Sequence, residues 1–113
     1  MTLLDPTTWR GKIYLDGWTT GGGGDAAVME PATGAELGRV GRAAPADVAR
    51  AATRAAEAQR DWAKQPYHVR AGVLRRAGDL WLSHASEVQD WIVRESGSIQ
   101  PKADVETTFA ANA

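Results

Sequence analysis

The chain has 113 residues, no cysteine, a formal net charge of −1 and a charged fraction of 24%. This balance argues against nucleic acid and anionic membrane as partners, because both bind concentrated positive charge. Without cysteine the chain has no disulfide, thiolate metal site or cysteine nucleophile. Leucine, isoleucine, valine and phenylalanine supply only 19 residues. That share lies below the roughly 20% typical of a self-sufficient core, so we expect a thin core that depends on a larger body.

The first strand signals form a hairpin. Residues 13–15 and 18–20 favour strands, and the Asp16-Gly17 pair between them favours a tight turn whose two positions need positive φ. The glycine tract that follows, residues 21–24, is expected to be a flexible connector.

A second hairpin is predicted beyond the connector. Residues 28–30 and 36–40 flank residues 31–34, where proline presets φ and glycine accepts the left-handed position. Two short hairpins are marginally stable alone, so residues 1–43 must pack on something else.

The remaining residues, 44–113, are expected to be helical, beginning at Pro45 with Asp47 complementing the helix dipole. The opposite side of this first helix is predicted to be a solvated charged surface. Its packing face is expected to consist of Val48, Ala52, Ala55, Gln59 and Trp62, and its charged surface of Arg50, Arg54, Glu57 and Asp61.

A second helix is predicted from about Pro66 to about Ser83. Gly72 and Gly78 each weaken it by roughly 1 kcal/mol relative to alanine, so we expect a neighbouring element to approach closely there. Its buried stripe is expected to be Val69, Val73, Leu74, Ala77, Leu80 and Trp81.

Two further helices complete the prediction. Residues 86–89 (SEVQ) match a capping box that opens a third helix, and Gly97 is its expected stop. Pro101 permits a fourth helix over residues 102–113, with Val105 and Phe109 at helical spacing. The predicted fold class is therefore α+β and mostly helical: two β-hairpins followed by three to four helices.

One pattern resembles a cofactor site. Gly21, Gly23 and Ala26 match the G-x-G-x-x-A spacing of a dinucleotide fingerprint, with Asp47 downstream. That fingerprint requires a strand that leads into a helix, whereas this segment leads into another strand and turn. A connector between hairpins is therefore the favoured interpretation.

The remaining polar groups also have structural interpretations. Asp79, Ser83 and His84 are close in sequence, but neighbouring helical positions point apart, which disfavours a catalytic triad. His68 and His84 are the only histidines and lack the spacing of a zinc site. Asp90 and Arg94 have the spacing of a surface ion pair. We therefore assign no catalytic, cofactor-binding or metal-binding residue.

Several segments, read in order, resemble the opening of the aldehyde dehydrogenase superfamily. Residues 13–18 (IYLDGW) resemble the family's I-x-G-x-W hairpin, and residues 30–34 (EPATG) its N-P-A-T-G turn with Glu30 replacing asparagine. Residues 95–98 (ESGS) are similar to its E-T-G-K segment. Similar helical segments are Asp47-Val48 with Ala51, Ala55, Ala58 and Trp62-Ala63, and Arg70-Ala71 with residues 74–77 and Asp79-Leu80.

Within the family, Glu30 and residues 94–103 are most similar to benzaldehyde dehydrogenases and related aromatic-aldehyde enzymes. The resemblance implies oxidation of an aldehyde to an acid by a cysteine thiolate, with hydride transfer to NAD or NADP. The family's functional residues lie downstream of the region that is similar here. We therefore expect an inactive N-terminal fragment that binds no cofactor alone and packs on the cofactor-binding domain of a homo-oligomeric enzyme.

Two alternatives remain open: a free-standing helical interaction module, and a truncated gene product without catalysis. The first residues, Met1 to Pro6, lack the basic start and apolar run of a signal peptide, and no stretch approaches the ~20 apolar residues of a membrane span. These features lead us to expect a cytoplasmic protein.

Overall fold

The computed structural model describes residues 2–112 and confirms the α+β, mostly helical fold class. Ala113, the predicted end of the last helix, lies outside the described residues. No helix within residues 2–112 has both the length and the apolar character of a membrane span. In chain order the elements are α1 (Pro6–Trp9), β1 (Lys12–Tyr14), β2 (Trp18–Thr20), β3 (Asp25–Met29), β4 (Glu36–Gly41), α2 (Pro45–Trp62), α3 (Tyr67–Ser83), α4 (Ala85–Ser96) and α5 (Gln100–Asn112).

Both predicted hairpins are present as separate antiparallel pairs, β1 with β2 and β3 with β4. Asp16 and Gly17 have φ values of 52° and 116°, as the first turn requires, and Gly34 has a φ of 73° in the second. The first turn also takes in Leu15, because Tyr14 already pairs with Trp18. A bulge between Val28 and Met29 shifts the register of the second pair.

The glycine connector, which was predicted to be flexible, is packed at Gly21 and Gly23. An ideal Cβ at Gly21 would lie 2.3 Å from the carbonyl oxygen of Arg42, and one at Gly23 would lie 2.8 Å from the same atom. The Gly23 amide donates to that oxygen at 2.9 Å. The glycines are therefore required because two backbone segments run side by side.

A short N-terminal arm, residues 2–11, was not predicted to be structured and contains α1. The Asp5 carboxylate caps α1 by accepting from the Thr7 amide at 2.9 Å. The aromatic end of Trp9 covers Gly38 of β4, where an ideal Cβ would lie 2.9 Å from Trp9 Cη2. The arm therefore covers one side of the second hairpin.

Helices α2 and α3 form as predicted, but every residue of their predicted packing faces except Trp81 is exposed. On α2 the side chain of Val48 is 59% exposed and the buried residue is Asp47. On α3 Leu74 is 70% exposed. Periodicity predicted these helices, but within residues 2–112 the faces that it marked as apolar are largely uncovered, and Trp81 alone is partly buried.

The close approach predicted at Gly78 is confirmed, because an ideal Cβ there would lie 2.8 Å from the carbonyl oxygen of Ala111 in α5. Gly72 meets only the guanidinium of Arg76, at 3.4 Å, so the same prediction was wrong there. Trp81 reinforces the contact between α3 and α5 by donating from Nε1 to the Thr107 carbonyl at 3.1 Å.

The predictions for α4 and α5 are confirmed in part. Gly97 ends α4 with a φ of 67°, as expected. The capping box was wrong: α4 begins at Ala85, so Ser86 already lies inside the helix. On α5 the buried residues are Ala103 and Thr107, and the apolar pair at helical spacing, Val105 and Phe109, is exposed.

The fold has a small core and an unusually large surface. Among the described residues the buried hydrophobic side chains are Val88 and Ala103. The accessible surface is 7931 Å², against about 6,000 Å² for a compact monomer of this mass. The radius of gyration is 16.5 Å, against about 13 Å for a compact domain of this length. The thin core expected from composition is therefore present.

Candidate functional site

An open groove between α3 and α5 has a volume of 680 Å³ and is here called the α3–α5 groove. Small side chains form most of its lining, and Leu74 and Trp81 add larger apolar surface. The full lining is Ala71, Leu74, Arg75, Ala77, Gly78, Trp81, Ala110, Ala111 and Asn112. Such a groove suits the packing of another secondary-structure element.

Basic groups next to the groove lack partners. Arg70 precedes Leu74 by one helical turn, and its Nε is buried without a hydrogen-bond partner among the described residues. Arg75 lines the groove and forms no ion pair within residues 2–112. A buried donor without an acceptor is costly, and Arg70 itself is not among the residues that line the groove.

Asp47 holds the glycine connector to the start of α2. Its Oδ2 accepts from the amides of Ala44 at 2.8 Å and Gly22 at 2.7 Å, and its Oδ1 accepts from Arg50. The amides of Ala44 and Gly22 lower the pKa of the Asp47 carboxyl because they stabilise its charged form. The dipole role predicted for Asp47 therefore extends to a contact between two distant segments.

Glu87 holds the N-terminal arm to α4. Its carboxylate accepts from the amides of Leu3 at 2.9 Å and Leu4 at 2.8 Å, one on each oxygen. The Leu4 and Leu3 amides lower the pKa of the Glu87 carboxyl. Trp9 and Trp91 meet edge to face beside this contact, with ring centroids 5.6 Å apart.

Glu30 joins the second hairpin turn to the C-terminal end of α4. Its carboxylate accepts from the Thr33 hydroxyl, and from Arg94 Nε at 2.8 Å. These two contacts, the Thr33 hydroxyl first, lower the pKa of the Glu30 carboxyl. The predicted pair of Arg94 with Asp90 is present but looser, at 3.7 Å.

The dinucleotide-like glycines lie between β2 and β3, and the first helix after them begins only at Pro45. The amides of Gly22 and Gly23 already donate to Asp47 and Arg42. This geometry does not fit a pyrophosphate, which needs free amides at a helix N-terminus.

The other sequence candidates are not brought together. The Ser83 hydroxyl donates to the Leu80 carbonyl at 2.8 Å, and His84 faces Glu87 at 3.4 Å. Asp79 joins neither of them. His68 lies edge-on to Tyr67 in the first turn of α3. Within residues 2–112 no three acidic or histidine side chains are arranged to hold a metal ion.

Sequence reasoning missed Trp9 and the long-range role of Glu87. Glu87 is 84 positions from Leu3, and its place near a helix start suggested a cap instead. No local pattern marked the contact between Trp9 and Trp91. For Arg70, an arginine amid apolar helix positions was the available signal.

The chain matches known proteins over nearly its whole length. The profile described as "Aldehyde dehydrogenase family" matches residues 18–113. A vanillin dehydrogenase of Amycolatopsis sp. is 58% identical over 98% of the chain and 23% of that relative. A benzaldehyde dehydrogenase [NAD(+)] of Pseudomonas putida is 39% identical over 83% of the chain and 19% of that relative.

A solved structure agrees with these relatives. The crystal structure of an NAD-dependent benzaldehyde dehydrogenase from Corynebacterium glutamicum matches 99% of the chain with a TM-score of 0.85 and 28% identity. The match covers 24% of that structure, so the chain spans about a quarter of the length of its relatives. The resemblance read from short motifs is confirmed by the profile, the relatives and the fold. The chain therefore belongs to the aldehyde dehydrogenase family.

Proposed function

We propose that this chain is the N-terminal part of an NAD-dependent enzyme that oxidises an aromatic aldehyde to its carboxylic acid. The names of the relatives, vanillin and benzaldehyde dehydrogenases, support this substrate class. Under this proposal residues 1–113 contain no complete cofactor-binding or catalytic domain. They supply no catalytic, cofactor-binding or metal-binding side chain, and their role is structural, because they pack against the rest of the enzyme.

The observation that carries the structural part of the proposal is the excess surface. The described chain exposes roughly 1,900 Å² more than a compact monomer of its mass. A standard protein interface buries only about 800 Å² on each partner. The excess therefore suits a segment that is covered extensively by a larger body.

The chemistry must come from outside these residues. The chain has no cysteine and therefore no thiolate nucleophile. The described glycine segment does not fit a dinucleotide, because its amides bind Asp47 and Arg42. NAD would be held by the remainder of the enzyme and would accept the hydride there.

A chimera tests the proposal. Residues 1–113 replace the matching segment of the Amycolatopsis vanillin dehydrogenase, and NADH formation is measured with vanillin, benzaldehyde and an aliphatic aldehyde. We expect aromatic-aldehyde activity within about tenfold of the unaltered relative, equivalent to about 1.4 kcal/mol in the barrier. The 113-residue chain alone should produce no NADH.

Two results contradict the proposal: a folded chimera without aromatic-aldehyde activity, or turnover by the 113-residue chain alone. The alternative of a free-standing interaction module is supported by the internal anchors at Asp47 and Glu87. Cooperative unfolding of the isolated chain as a monomer, together with an inactive chimera, would favour that module.

We also propose that the complete enzyme is a homo-oligomer of the cytoplasm. Sedimentation of the chimera and fractionation of the native cells test these two points. A monomeric chimera, or enzyme recovered outside the cytoplasm, contradicts them.

A further inference from the structure

A second cavity lies between the N-terminal arm, the two hairpins and α4, and is here called the arm pocket. Its volume is 330 Å³, near the lower end of the range for small-molecule sites, which begins at about 300 Å³. Such sites are mostly apolar and carry a few polar groups that orient the ligand. The side chains that decide the chemistry of the arm pocket are Trp9 of the arm, Lys12 of β1, Trp18 of β2, and Trp91 and Glu95 of α4.

Contacts within the chain hold the walls of the arm pocket in place. The Glu87 carboxylate accepts from the amides of Leu3 and Leu4, which fixes the arm to α4. Trp9 donates from Nε1 to the Leu4 carbonyl at 3.1 Å, and its ring meets that of Trp91 at an interplanar angle of 76°. The pocket is therefore formed before any ligand enters, which lowers the entropic cost of binding.

The lining favours a flat aromatic ligand. Trp9, Trp18 and Trp91 surround the same space, and aromatic rings gain free energy from offset and edge-to-face contacts beyond the area that they bury. Trp18 and Val40 line the pocket and are exposed, so a ligand can enter from solvent and would cover them. The volume admits one substituted ring.

Two charged side chains indicate which substituents that ring carries. Lys12 and Glu95 line the pocket, and within residues 2–112 neither forms an ion pair with the other or with a third residue. An ammonium group binds a carboxylate, and a carboxylate accepts a hydrogen bond from a hydroxyl group. Lys12 disfavours a cationic ligand, and a single carboxylate without a histidine disfavours a metal ion.

We propose that the arm pocket binds a single-ring aromatic acid that carries a hydroxyl group. The ligand carboxylate pairs with Lys12, the ring packs against the three indoles, and the hydroxyl group donates to Glu95. This site goes beyond the proposed function and does not depend on it, although acids of this class are what the proposed reaction forms.

The first measurement is a titration of the folded 113-residue chain with 4-hydroxybenzoate, followed through the indole N–H signals of Trp18 and Trp91 by NMR. We expect a Kd of about 0.1 to 1 mM, as suits a ligand of about ten non-hydrogen atoms. Benzoate, phenol and cyclohexanecarboxylate each lack one of the three recognised groups and should bind about tenfold more weakly. Benzylamine that binds as tightly as 4-hydroxybenzoate overturns the proposed ligand class.

Two matched pairs of variants assign the polar contacts. Lys12→Gln should weaken 4-hydroxybenzoate about tenfold and leave phenol unchanged, whereas Lys64→Gln makes the same change outside the pocket. Glu95→Ala should abolish the preference for 4-hydroxybenzoate over benzoate, and Glu57→Ala is its control. A merely structural effect would weaken all ligands alike. Equal changes in both members of either pair overturn the proposal.

A second measurement locates the ligand in the whole enzyme and decides the case in which the isolated chain does not fold. Crystals of the chimera are soaked in 3-bromo-4-hydroxybenzoate, and we expect anomalous bromine density between Trp18 and Trp91. Absence of bromine there overturns the site. Bromine that the Lys12→Gln chimera retains at equal occupancy indicates binding at crystal concentration only, and also overturns it.

The outcomes for the site and for the proposed function are separate. A chimera that binds the ligand in the arm pocket but does not oxidise aromatic aldehydes supports the site and contradicts only the proposed function. An active chimera whose arm pocket stays empty overturns only the site.

Discussion

The hairpin region and the helices α3 and α5 are stabilised in opposite ways. Carboxylates join the hairpins and the arm to the helices by accepting hydrogen bonds from backbone amides. The main examples are Asp47 and Glu87. Helices α3 and α5 touch each other closely at Gly78, yet leave Leu74 and Phe109 each 70% exposed.

The contrast shows that the contacts that orient a segment differ from the contacts that supply most of its free energy of folding. A hydrogen bond from a fixed amide to a carboxylate is directional, so a few such bonds orient segments without a large core. An apolar helix face gains free energy only when another surface removes it from water. The first region therefore contains its own contacts, whereas the second presents a surface for another body.

Trp9→Ala should have the largest effect of these variants on the free energy of unfolding, because it removes contacts within the first region. Trp9 contacts both Gly38 of β4 and Trp91 of α4, so its loss separates the arm from both. We expect a loss of about 3 kcal/mol in the free energy of unfolding, measured by urea denaturation. Tyr67→Ala, which removes a side chain that is 79% exposed, is the control and should cost about 0.5 kcal/mol. Similar losses in the two variants would show that Trp9 does not join the regions.

The two α3 glycines sharpen the account of the helical region. Gly78→Ala places a methyl group against the Ala111 carbonyl, and we expect it to destabilise the chain by about 1–3 kcal/mol. Gly72→Ala meets only a mobile guanidinium and should stabilise by up to about 1 kcal/mol, since alanine favours helix. Thermal unfolding followed by circular dichroism measures both. The same sign for both substitutions would contradict the close contact between α3 and α5.

The pH dependence tests the polar anchors and has the smallest expected effect. Asp47 and Glu87 have lowered pKa values in the folded chain, so their stabilisation is complete above the unfolded pKa of about 4. This stabilisation is lost as the pH falls through the lower pKa values of the two carboxyl groups in the folded chain. Asp47→Asn should therefore be less stable than the original chain at pH 7 and approach it at acidic pH, measured by urea midpoints. Parallel curves at all pH values would exclude an anchoring role for the charged carboxylate.

A control accompanies that comparison. Glu57→Gln alters an exposed carboxylate of α2 that, unlike Asp47, accepts no hydrogen bond from a backbone amide within residues 2–112. Its urea midpoint at pH 7 should match that of the original chain.

The local features of the fold were predictable. Asp16-Gly17 and Gly97 adopt the positive φ values expected from their turn and helix-end positions. These predictions succeeded because a few adjacent residues determine backbone conformation. The absence of an assigned catalytic residue stays a prediction, and the assays of the chimera and of the isolated chain test it.

Packing was predicted less well. On α3 the predicted stripe residue Leu74 is 70% exposed, and on α5 the buried residues are Ala103 and Thr107 rather than the larger Val105 and Phe109. Hydrophobicity marks the side of a helix that can be covered, but it does not say whether the covering surface belongs to the same segment. The capping box failed because α4 begins at Ala85, before Ser86.

The sequence by itself determined the family, the order of the elements that follow α1 and the turn positions, since these depend on short motifs and local periodicity. Only the tertiary structure decided which faces are covered, and that Asp47 and Glu87 connect distant segments. Gly22 and Asp47 are 25 positions apart, and Leu3 and Glu87 are 84 apart. Contacts across such separations depend on how the whole chain folds, so no local pattern specifies them.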